Sequence, residues 1–279
     1  MVAQYDVSVD DQMDGARTAS YSLALSEQER VRYRMMAASA ADNESTEWSV
    51  AGIRADACVA DVGCGPGAVL RLLADRVGAA GSAVGVDSDP AAVSMAQEEV
   101  TDFPNAHAQV GHADATDLEP EAYDVVMCRH VLAHNGGRES AIVAHLASLA
   151  APGGCVYLAD VDASALRMTS TEPELDDLSE RYLAFQRARG NDLSVGLRLG
   201  DLLTDVGLTV ERFACRAPVL RVPTGTRPPA WAARKEMIAE GFATEADVES
   251  WADAFARLDT AERRPWLFPA TFIAVGRRA

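Results

Sequence analysis

The chain has 279 residues, 48% of them hydrophobic, enough to form one large core or one core with a cap. Its 42 acidic and 25 basic residues leave a formal net charge of −17. Nucleic-acid binding draws most of its affinity from Lys and Arg side chains on phosphates. The charge balance therefore argues against a nucleic-acid partner and favours a small-molecule ligand.

The cysteines and the apolar runs indicate the compartment. The five cysteines are scattered, without a C-x-x-C pair, which is typical of a reducing compartment and argues against a disulfide framework or a zinc site. The acidic N-terminal stretch lacks the basic and apolar regions of a signal peptide. The longest uncharged run, 141–159, contains Pro152-Gly153-Gly154 and is predicted as helix, turn and strand instead of a membrane span. We therefore expect a cytoplasmic protein with no membrane partner.

Predicted elements alternate along the first part of the chain. Before residue 58 the sequence is predicted to be helical, and short apolar strands then alternate with amphipathic helices. The strands are predicted at 58–62, 83–86, 108–112, 123–128 and 155–160, with a helix at 68–77 and another starting at Asp89-Pro90. This alternation indicates an α/β fold with a parallel sheet covered on both faces.

The alternation is interrupted after residue 160 by two long segments. A helix is predicted at 197–208 and strands at 209–215 and 270–276. The segments 162–190 and 216–265 are too long for structureless loops in a compact domain. We predict that they are cap insertions over the carboxyl edge of the sheet, where ligands bind in open α/β folds. The predicted organisation is an N-terminal helical cap segment, 1–50, followed by a core, 51–279.

The stretch CVADVGCGPGAV, residues 58–69, places Gly63, Gly65 and Gly67 between a predicted strand and a helix. Such a loop brings backbone N–H groups close to a ligand. Asp87 ends the second strand, where an acid can accept hydrogen bonds from ribose hydroxyls. Asp114 follows the third strand at the same edge. Together these residues predict a groove for an adenosine-like ligand.

Four stretches in this order resemble the motifs of class I S-adenosylmethionine-dependent methyltransferases. They are VADVGCGPG (59–67), VGVDSDP (84–90), HADAT (112–116) and YDVVMCRHVLAH (123–134). The resemblance covers residues 50–215 and the last strand. It implies a Rossmann-like, mostly parallel sheet of seven strands with the last antiparallel, and S-adenosyl-L-methionine as cofactor. The N-terminal YSLALSEQER also resembles bacterial small-molecule members, many from natural-product pathways.

The resemblance implies which residues hold the amino-acid end of the cofactor. The three glycines would let the loop pass its methionine part, and Asp61 would steady the loop and reach the amino group through water. Arg129 would present its backbone carbonyl to that amino group. Tyr21 and Arg30 match positions near the cofactor carboxylate. The alternatives are a helix-capping role for Asp61, and a surface position for Tyr21 and Arg30.

The resemblance also implies which residues hold the nucleoside end of the cofactor. Asp87 would hold the ribose, and Ser88 would lie along the adenine. Asp114 would accept a hydrogen bond from the adenine amine, with Ala115 beside it. The alternatives are that Asp87 caps a helix and that Asp114 is a turn residue.

Two histidines are candidates for catalysis. A hydroxyl or ammonium acceptor needs a base, and histidine is the usual choice. His130 and His134 follow the fourth strand, and their spacing puts them on one face if the segment is helical. The resemblance implies that His134 lines the acceptor pocket, whereas His130 can instead pack beneath the cofactor. No H-E-x-x-H motif or third ligand accompanies them, so we predict no metal.

Asp160, Phe185 and Trp231 are the candidate contacts to the acceptor. Each has a structural alternative, which is capping for Asp160 and core packing for the two aromatic residues. The predicted function is methyl transfer to a small molecule, with O-methylation favoured. One alternative is a non-methylating, cofactor-binding member of the fold. Another is an NAD(P)-binding oxidoreductase. Against it, the glycines here follow the spacing G-x-G-x-G, and residue 68 is Ala where the dinucleotide fingerprint G-x-G-x-x-G has its third glycine. The oligomeric state is left open, with a homodimer as one candidate.

Overall fold

The structure, a computed structural model, describes residues 27–169 and 172–279. In that part of the chain the helices are α1 (Glu27–Asn43), α2 (Ser45–Ala51), α3 (Ala68–Val77), α4 (Pro90–Glu99), α5 (Glu139–Leu149), α6 (Pro173–Ala188), α7 (Leu199–Asp205), α8 (Pro229–Ala232), α9 (Arg234–Ala239) and α10 (Glu245–Thr260). The strands are β1 (Cys58–Val62), β2 (Ser82–Asp87), β3 (Ala106–Val110), β4 (Tyr123–Arg129), β5 (Ala150–Val161), β6 (Arg167–Met168), β7 (Thr209–Arg216), β8 (Leu220–Arg221), β9 (Trp266–Phe268) and β10 (Thr271–Arg277). Short 3-10 turns lie at Leu132–His134, Ala163–Ala165 and Val195–Arg198.

One seven-stranded sheet organises the core, in the order β3-β2-β1-β4-β5-β10-β7. The strands from β3 to β5 pair in parallel, and β10 runs antiparallel to both β5 and β7. The predicted fold, a mostly parallel sheet with its last strand antiparallel, is confirmed. Because parallel strands share one direction, the carboxyl ends of β1 to β5 meet at one edge, where the candidate site residues lie.

Helices bury both faces of this sheet. One face packs against α2, α3 and α4 through residues such as Trp48 and Leu70. The other face packs against α5 and α7 through residues such as Ile142 and Leu203. Burying each such large apolar side chain stabilises the fold by about 1.5–3 kcal/mol. This two-sided burial explains why the central strands are continuous apolar runs instead of alternating ones.

Two predicted strands, β3 and β5, differ from the structure by more than one residue at an end. β3 ends at Val110 instead of residue 112, because the Gly111 N–H bonds the Asp87 carbonyl and His112 then pairs with Ala115 in a tight turn. β5 begins at Ala150, and the predicted turn at 152–154 is a break in its pairing with β4: Gly153 has φ +76°, and the register passes from Ala150 opposite Tyr123 to Cys155 opposite Val125. There the backbone pairs with Arg278, beyond the end of β10, and this partner extends the strand. The predicted helix at 197–208 is a 3-10 turn followed by α7.

The two segments predicted as cap insertions pack against each other. Helices α6, α8, α9 and α10 share a third hydrophobic cluster that includes Phe185, Met237 and Trp251. The Trp251 indole N–H donates to Asp177 at 3.0 Å and ties α10 to α6. A small antiparallel sheet, ordered β6-β9-β8, joins the two segments as well.

Candidate ligand-binding and active site

The three glycines of the loop between β1 and α3 all have positive φ, with +82° at Gly63, +52° at Gly65 and +84° at Gly67. A Cβ atom at Gly63 would clash with the Val131 side chain, and one at Gly67 would lie 2.7 Å from the Ala96 Cα. A Cβ atom at Gly65 would meet nothing within 4 Å among residues 27–169 and 172–279. Packing within the described residues thus requires Gly63 and Gly67 of this loop, whereas the Cβ position of Gly65 is open in the same part of the chain.

Asp87 fastens this loop to the end of β2. One of its carboxylate oxygens accepts the Gly65 N–H at 2.8 Å, and the other accepts the Asp89 N–H at 3.0 Å. Burial raises the pKa of Asp87 above its usual range. Each oxygen has a further lone pair, so the carboxylate can accept two more hydrogen bonds. The predicted contact of Asp87 with the ribose stays a prediction. The predicted contact of its exposed neighbour, Ser88, with the adenine also stays a prediction.

Asp61 is a buried acid beneath the glycine loop. Its exposed fraction is 2%, and its Oδ2 atom has no hydrogen-bond partner among the described residues. Burial raises the pKa of Asp61 to about 7, although the positive charge of Arg129 opposes the rise. A buried polar atom without a partner is costly. The carboxylate is therefore suited to a cationic or hydrogen-bond-donating ligand.

Arg129, at the end of β4, is held by an acid from the N-terminal helices. Its Nη2 atom donates to Glu44 Oε1 at 2.6 Å, and the Tyr157 hydroxyl donates to Glu44 Oε2 at 2.5 Å. The Arg129 Nε atom is buried and has no partner among the described residues. The predicted role of its backbone carbonyl stays a prediction. The sequence reasoning missed Glu44, which lies between α1 and α2 and belongs to no motif.

His130 and His134 follow β4, but not on one helix. His130 has φ +56°, and its N–H donates to the Ala159 carbonyl at 2.8 Å. The 3-10 turn begins only at Leu132, so residues 130–134 do not form one helix and the two histidines do not share a helical face. Burial, with the charge of Arg129, lowers the pKa of His130 to about 3. Burial also lowers the pKa of the half-buried His134.

Asp160 anchors the loop that carries these histidines. Its oxygens accept the N–H groups of Ala133 at 3.1 Å and Val161 at 2.9 Å. Burial outweighs these bonds and raises the pKa of Asp160 to about 6. The His130 Nδ1 atom lies 4.0 Å from Asp160 Oδ1. This geometry favours the structural alternative for Asp160, and its acceptor contact stays a prediction.

The turn after β3 is fixed by two partners that the sequence did not reveal. Arg138 Nη2 donates to both oxygens of Asp114, each at 2.5 Å, and thereby lowers the pKa of that carboxyl. His145 Nε2 accepts the Thr116 N–H at 3.1 Å and lies 2.8 Å from the Thr116 hydroxyl. These contacts position Asp114 and the exposed Ala115 at the sheet edge. Their predicted contacts with adenine stay predictions.

Phe185 and Trp231, the predicted acceptor contacts, lie within the cap's own cluster. Phe185 is fully buried, with its ring 5.5 Å from the Phe242 ring, and Trp231 lies 5.2 Å from the Phe255 ring, both in edge-to-face geometry. The surroundings of Phe185 favour its core-packing alternative. Contact of either residue with an acceptor stays a prediction.

Arg30 lies on α1 beside the glycine loop. Its guanidinium donates to Glu98 at 3.1 Å, and it borders a shallow cleft together with Pro66 and Ala68. This position is adjacent to the predicted ligand groove, and contact with a ligand carboxylate stays a prediction. Tyr21 lies outside the described residues.

Within residues 27–169 and 172–279, no group of three or more His, Cys, Asp or Glu side chains is arranged to hold a metal ion. None of the helices described there combines the length and apolarity needed to cross a bilayer.

The sheet order, the glycine loop and the acids at the strand ends define a Rossmann-like methyltransferase fold. Residues 59–154 match the sequence profile of a methyltransferase domain. Over this segment, about a third of the chain, the match confirms the predicted resemblance to class I S-adenosylmethionine-dependent methyltransferases.

Individual relatives are distant. An uncharacterised 37.1 kDa protein of transposon Tn4556 from Streptomyces fradiae is 27% identical over 58% of this chain and 46% of its own length. A ubiquinone biosynthesis O-methyltransferase from Methylococcus capsulatus is 33% identical over 37% of this chain and 43% of its own. A SAM-dependent methyltransferase from Aquifex aeolicus superposes with a TM-score of 0.52 at 15% identity, over 89% of this chain and 98% of that one. The chain spans less than half the length of the curated relatives it matches.

Proposed function

We propose that this chain transfers the methyl group of S-adenosyl-L-methionine to an oxygen atom of a small-molecule acceptor. The observation that carries the proposal is the buried Asp61 carboxylate beneath the glycine loop, whose Oδ2 atom has no hydrogen-bond partner among the described residues. The amino-acid end of the cofactor carries an ammonium group, which is a suitable partner for that carboxylate. When bound, the cofactor supplies a methyl group that its sulfonium activates for displacement.

Other residues of the same edge fit the rest of the cofactor. Gly65 leaves open space for a close approach to the loop, and Asp87 has lone pairs left for ribose hydroxyls. Asp114, held by Arg138, would accept from the adenine amine. These residues would position the methyl group, and alignment supplies much of the acceleration in such a displacement.

Two observations support the acceptor class, and a third concerns the cellular location. The net charge of −17 argues against a nucleic-acid substrate. The named curated relatives are O-methyltransferases, over a segment that covers 37% of this chain. All five cysteines are unpaired, which supports a cytoplasmic location.

We assign the general base to His134 instead of His130. A histidine must be neutral to accept a proton, and the lowered pKa of His134 keeps it neutral near pH 7. His130, with a pKa of about 3, is too weak a base for efficient proton transfer.

Calorimetric binding tests the cofactor. We expect S-adenosylmethionine and S-adenosylhomocysteine to bind the wild type, and Asp87→Ala to weaken binding at least about tenfold, because it removes the predicted ribose acceptor and the Gly65 contact. The matched control is Asp89→Ala, since the Asp89 side chain caps α4 through the Ala91 N–H. Transfer of labelled methyl groups to phenols, carboxylic acids and amines then identifies the acceptor. A folded protein that binds NAD(P) and neither methionine derivative would overturn the proposal.

The role of His134 has its own test. We expect His134→Gln to lower kcat roughly 100-fold or more, because proton removal loses its base, while the Kd for S-adenosylhomocysteine stays within about twofold of wild type. His107→Gln, at an exposed position on β3, is the control and should leave kcat unchanged. A His134→Gln enzyme with wild-type kcat across the pH range would show that His134 is not the base.

A further inference from the structure

Two buried groups of opposite charge lie near each other without pairing. Asp61 is opposite Met127 in the register of β1 and β4, and Arg129 is the next residue on the same face of β4. Asp61 Oδ2 and Arg129 Nε are both buried, and neither has a hydrogen-bond partner among the described residues. Opposite charges attract strongly away from water, so an ion pair between them would be expected.

Glu44 accounts for the missing ion pair. Its side chain, 4% exposed, accepts the Arg129 guanidinium on one oxygen at 2.6 Å and the Tyr157 hydroxyl on the other at 2.5 Å. Tyr157 is fully buried on β5, so this hydrogen bond fixes where the Glu44 carboxylate lies. The guanidinium is thereby directed towards the junction of α1 and α2 and not towards Asp61.

We propose that Glu44 is a positioning residue of the ligand site: by holding Arg129, it keeps the Asp61 carboxylate open for the ammonium group of the ligand. This inference rests on the proposed function. Glu44 precedes the segment matched to the methyltransferase domain, residues 59–154, so the N-terminal helices supply a component that the domain itself lacks. Docking of these helices and retention of the cofactor's amino-acid end are then coupled.

The proposal predicts opposite effects for the two members of the ion pair. In Glu44→Gln, Arg129 loses its partner and pairs with Asp61, so it competes with the ligand and stabilises the ionised carboxylate. The Asp61 pKa and the pH midpoint of binding should fall, and binding at pH 8 should weaken. In Arg129→Met the attraction is lost, so both midpoints should rise, while binding well above the midpoint is retained.

Other groups around these side chains contribute a constant background. The charged or titratable groups that face Asp61 are Asp87 on β2, Cys64 in the glycine loop, and Cys128 and Arg129 on β4. The groups that face Arg129 or Glu44 are Tyr157 and Asp160 on β5, His130 after β4 and Arg216 on β7. None of these is changed in the two variants apart from Arg129 itself.

The experiment is calorimetric titration with S-adenosylhomocysteine from about pH 5.5 to pH 9, for wild type, Glu44→Gln, Arg129→Met and the double variant. We expect Glu44→Gln to weaken binding at pH 8 about tenfold, and the double variant to regain the affinity of Arg129→Met. The matched control is Glu47→Gln. Glu47 is a fully buried acid on α2 that pairs with Arg212 and Arg216, so its loss should lower Tm without shifting the binding midpoint.

Equal loss of affinity in Glu44→Gln and Glu47→Gln, or midpoints that move in the same direction in Glu44→Gln and Arg129→Met, would overturn the inference. An NMR titration of the Asp61 carboxyl carbon in the ligand-free variants separates failure of this inference from failure of the proposed function. If wild type binds no S-adenosylhomocysteine, the proposed function fails. The carboxyl titration still decides whether Glu44 keeps Arg129 away from Asp61.

Discussion

Asp61→Asn is expected to make the ligand-free protein more stable at pH 8 and to weaken its binding of S-adenosylhomocysteine. The carboxylate is 2% exposed, and its Oδ2 atom has no hydrogen-bond partner in the part of the chain that the structure describes, so its charge destabilises the folded state. A pKa of about 7, against the ordinary 3.8, corresponds to roughly 4 kcal/mol at high pH. The asparagine amide is also buried without a partner, which offsets part of this gain. We expect a net stabilisation of about 2 kcal/mol.

The pH dependence of this effect has a defined sign. The folded-state pKa of Asp61 lies above its unfolded value, so its contribution to stability is fully present below about pH 4 and is lost as the pH rises through about 7. The free energies of unfolding of wild type and Asp61→Asn should therefore diverge between about pH 4 and pH 8. Urea denaturation at both ends of that window measures the difference.

Asp61→Asn should weaken ligand binding, although it stabilises the ligand-free protein. Loss of a charged hydrogen-bond partner should weaken S-adenosylhomocysteine binding roughly tenfold to 100-fold at pH 8. Asp160→Asn is the informative comparison, because both Asp160 oxygens accept backbone N–H groups and one acceptor would be lost. That variant should gain less stability at pH 8 than Asp61→Asn, because the rise in the Asp160 pKa, to about 6, is smaller and a bonded acceptor is lost. An Asp61→Asn protein that is destabilised at pH 8, or that binds with wild-type affinity, would contradict the assignment of Asp61.

Alanine substitutions in the glycine loop should separate folding from binding. Gly65→Ala places a methyl group in open space, so its cost to folding is the left-handed backbone alone, about 1–2 kcal/mol. The methyl group would occupy the space through which a ligand approaches the loop. We expect the affinity for S-adenosylhomocysteine to fall at least about tenfold while the cooperative unfolding transition is preserved.

Gly63→Ala should instead act on the fold. Its Cβ atom would overlap the Val131 side chain, and the residue has φ +82°. Overpacking and backbone strain together predict a loss of roughly 2–5 kcal/mol in the free energy of unfolding. Gly207→Ala is the control for backbone strain, since Gly207 has the same φ with nothing within 4 Å of its Cβ position and lies beyond α7. Its binding should be unchanged. Wild-type affinity in Gly65→Ala would show that the loop does not approach the ligand there.

The sequence by itself determined the elements of the core and the place of the site. The predicted bounds of β1 and α3 agree with the structure, because their apolar periodicity and the glycines between them are local signals. Strand–helix alternation then fixed the parallel sheet, and with it the shared edge at which Asp61, Asp87 and Asp114 stand.

Only the tertiary structure decided how that site is arranged. Glu44 reaches Arg129 across 85 positions of the chain, and Val131 and Ala96 make Gly63 and Gly67 packing requirements while Gly65 stays open. His130 leaves the helical geometry that its spacing from His134 suggested, because β4 continues into a left-handed residue bonded to β5. Periodicity and turn chemistry report on neighbours within a few residues. Contacts between distant segments arise when the sheet edge and the N-terminal helices pack together, and no local pattern encodes them.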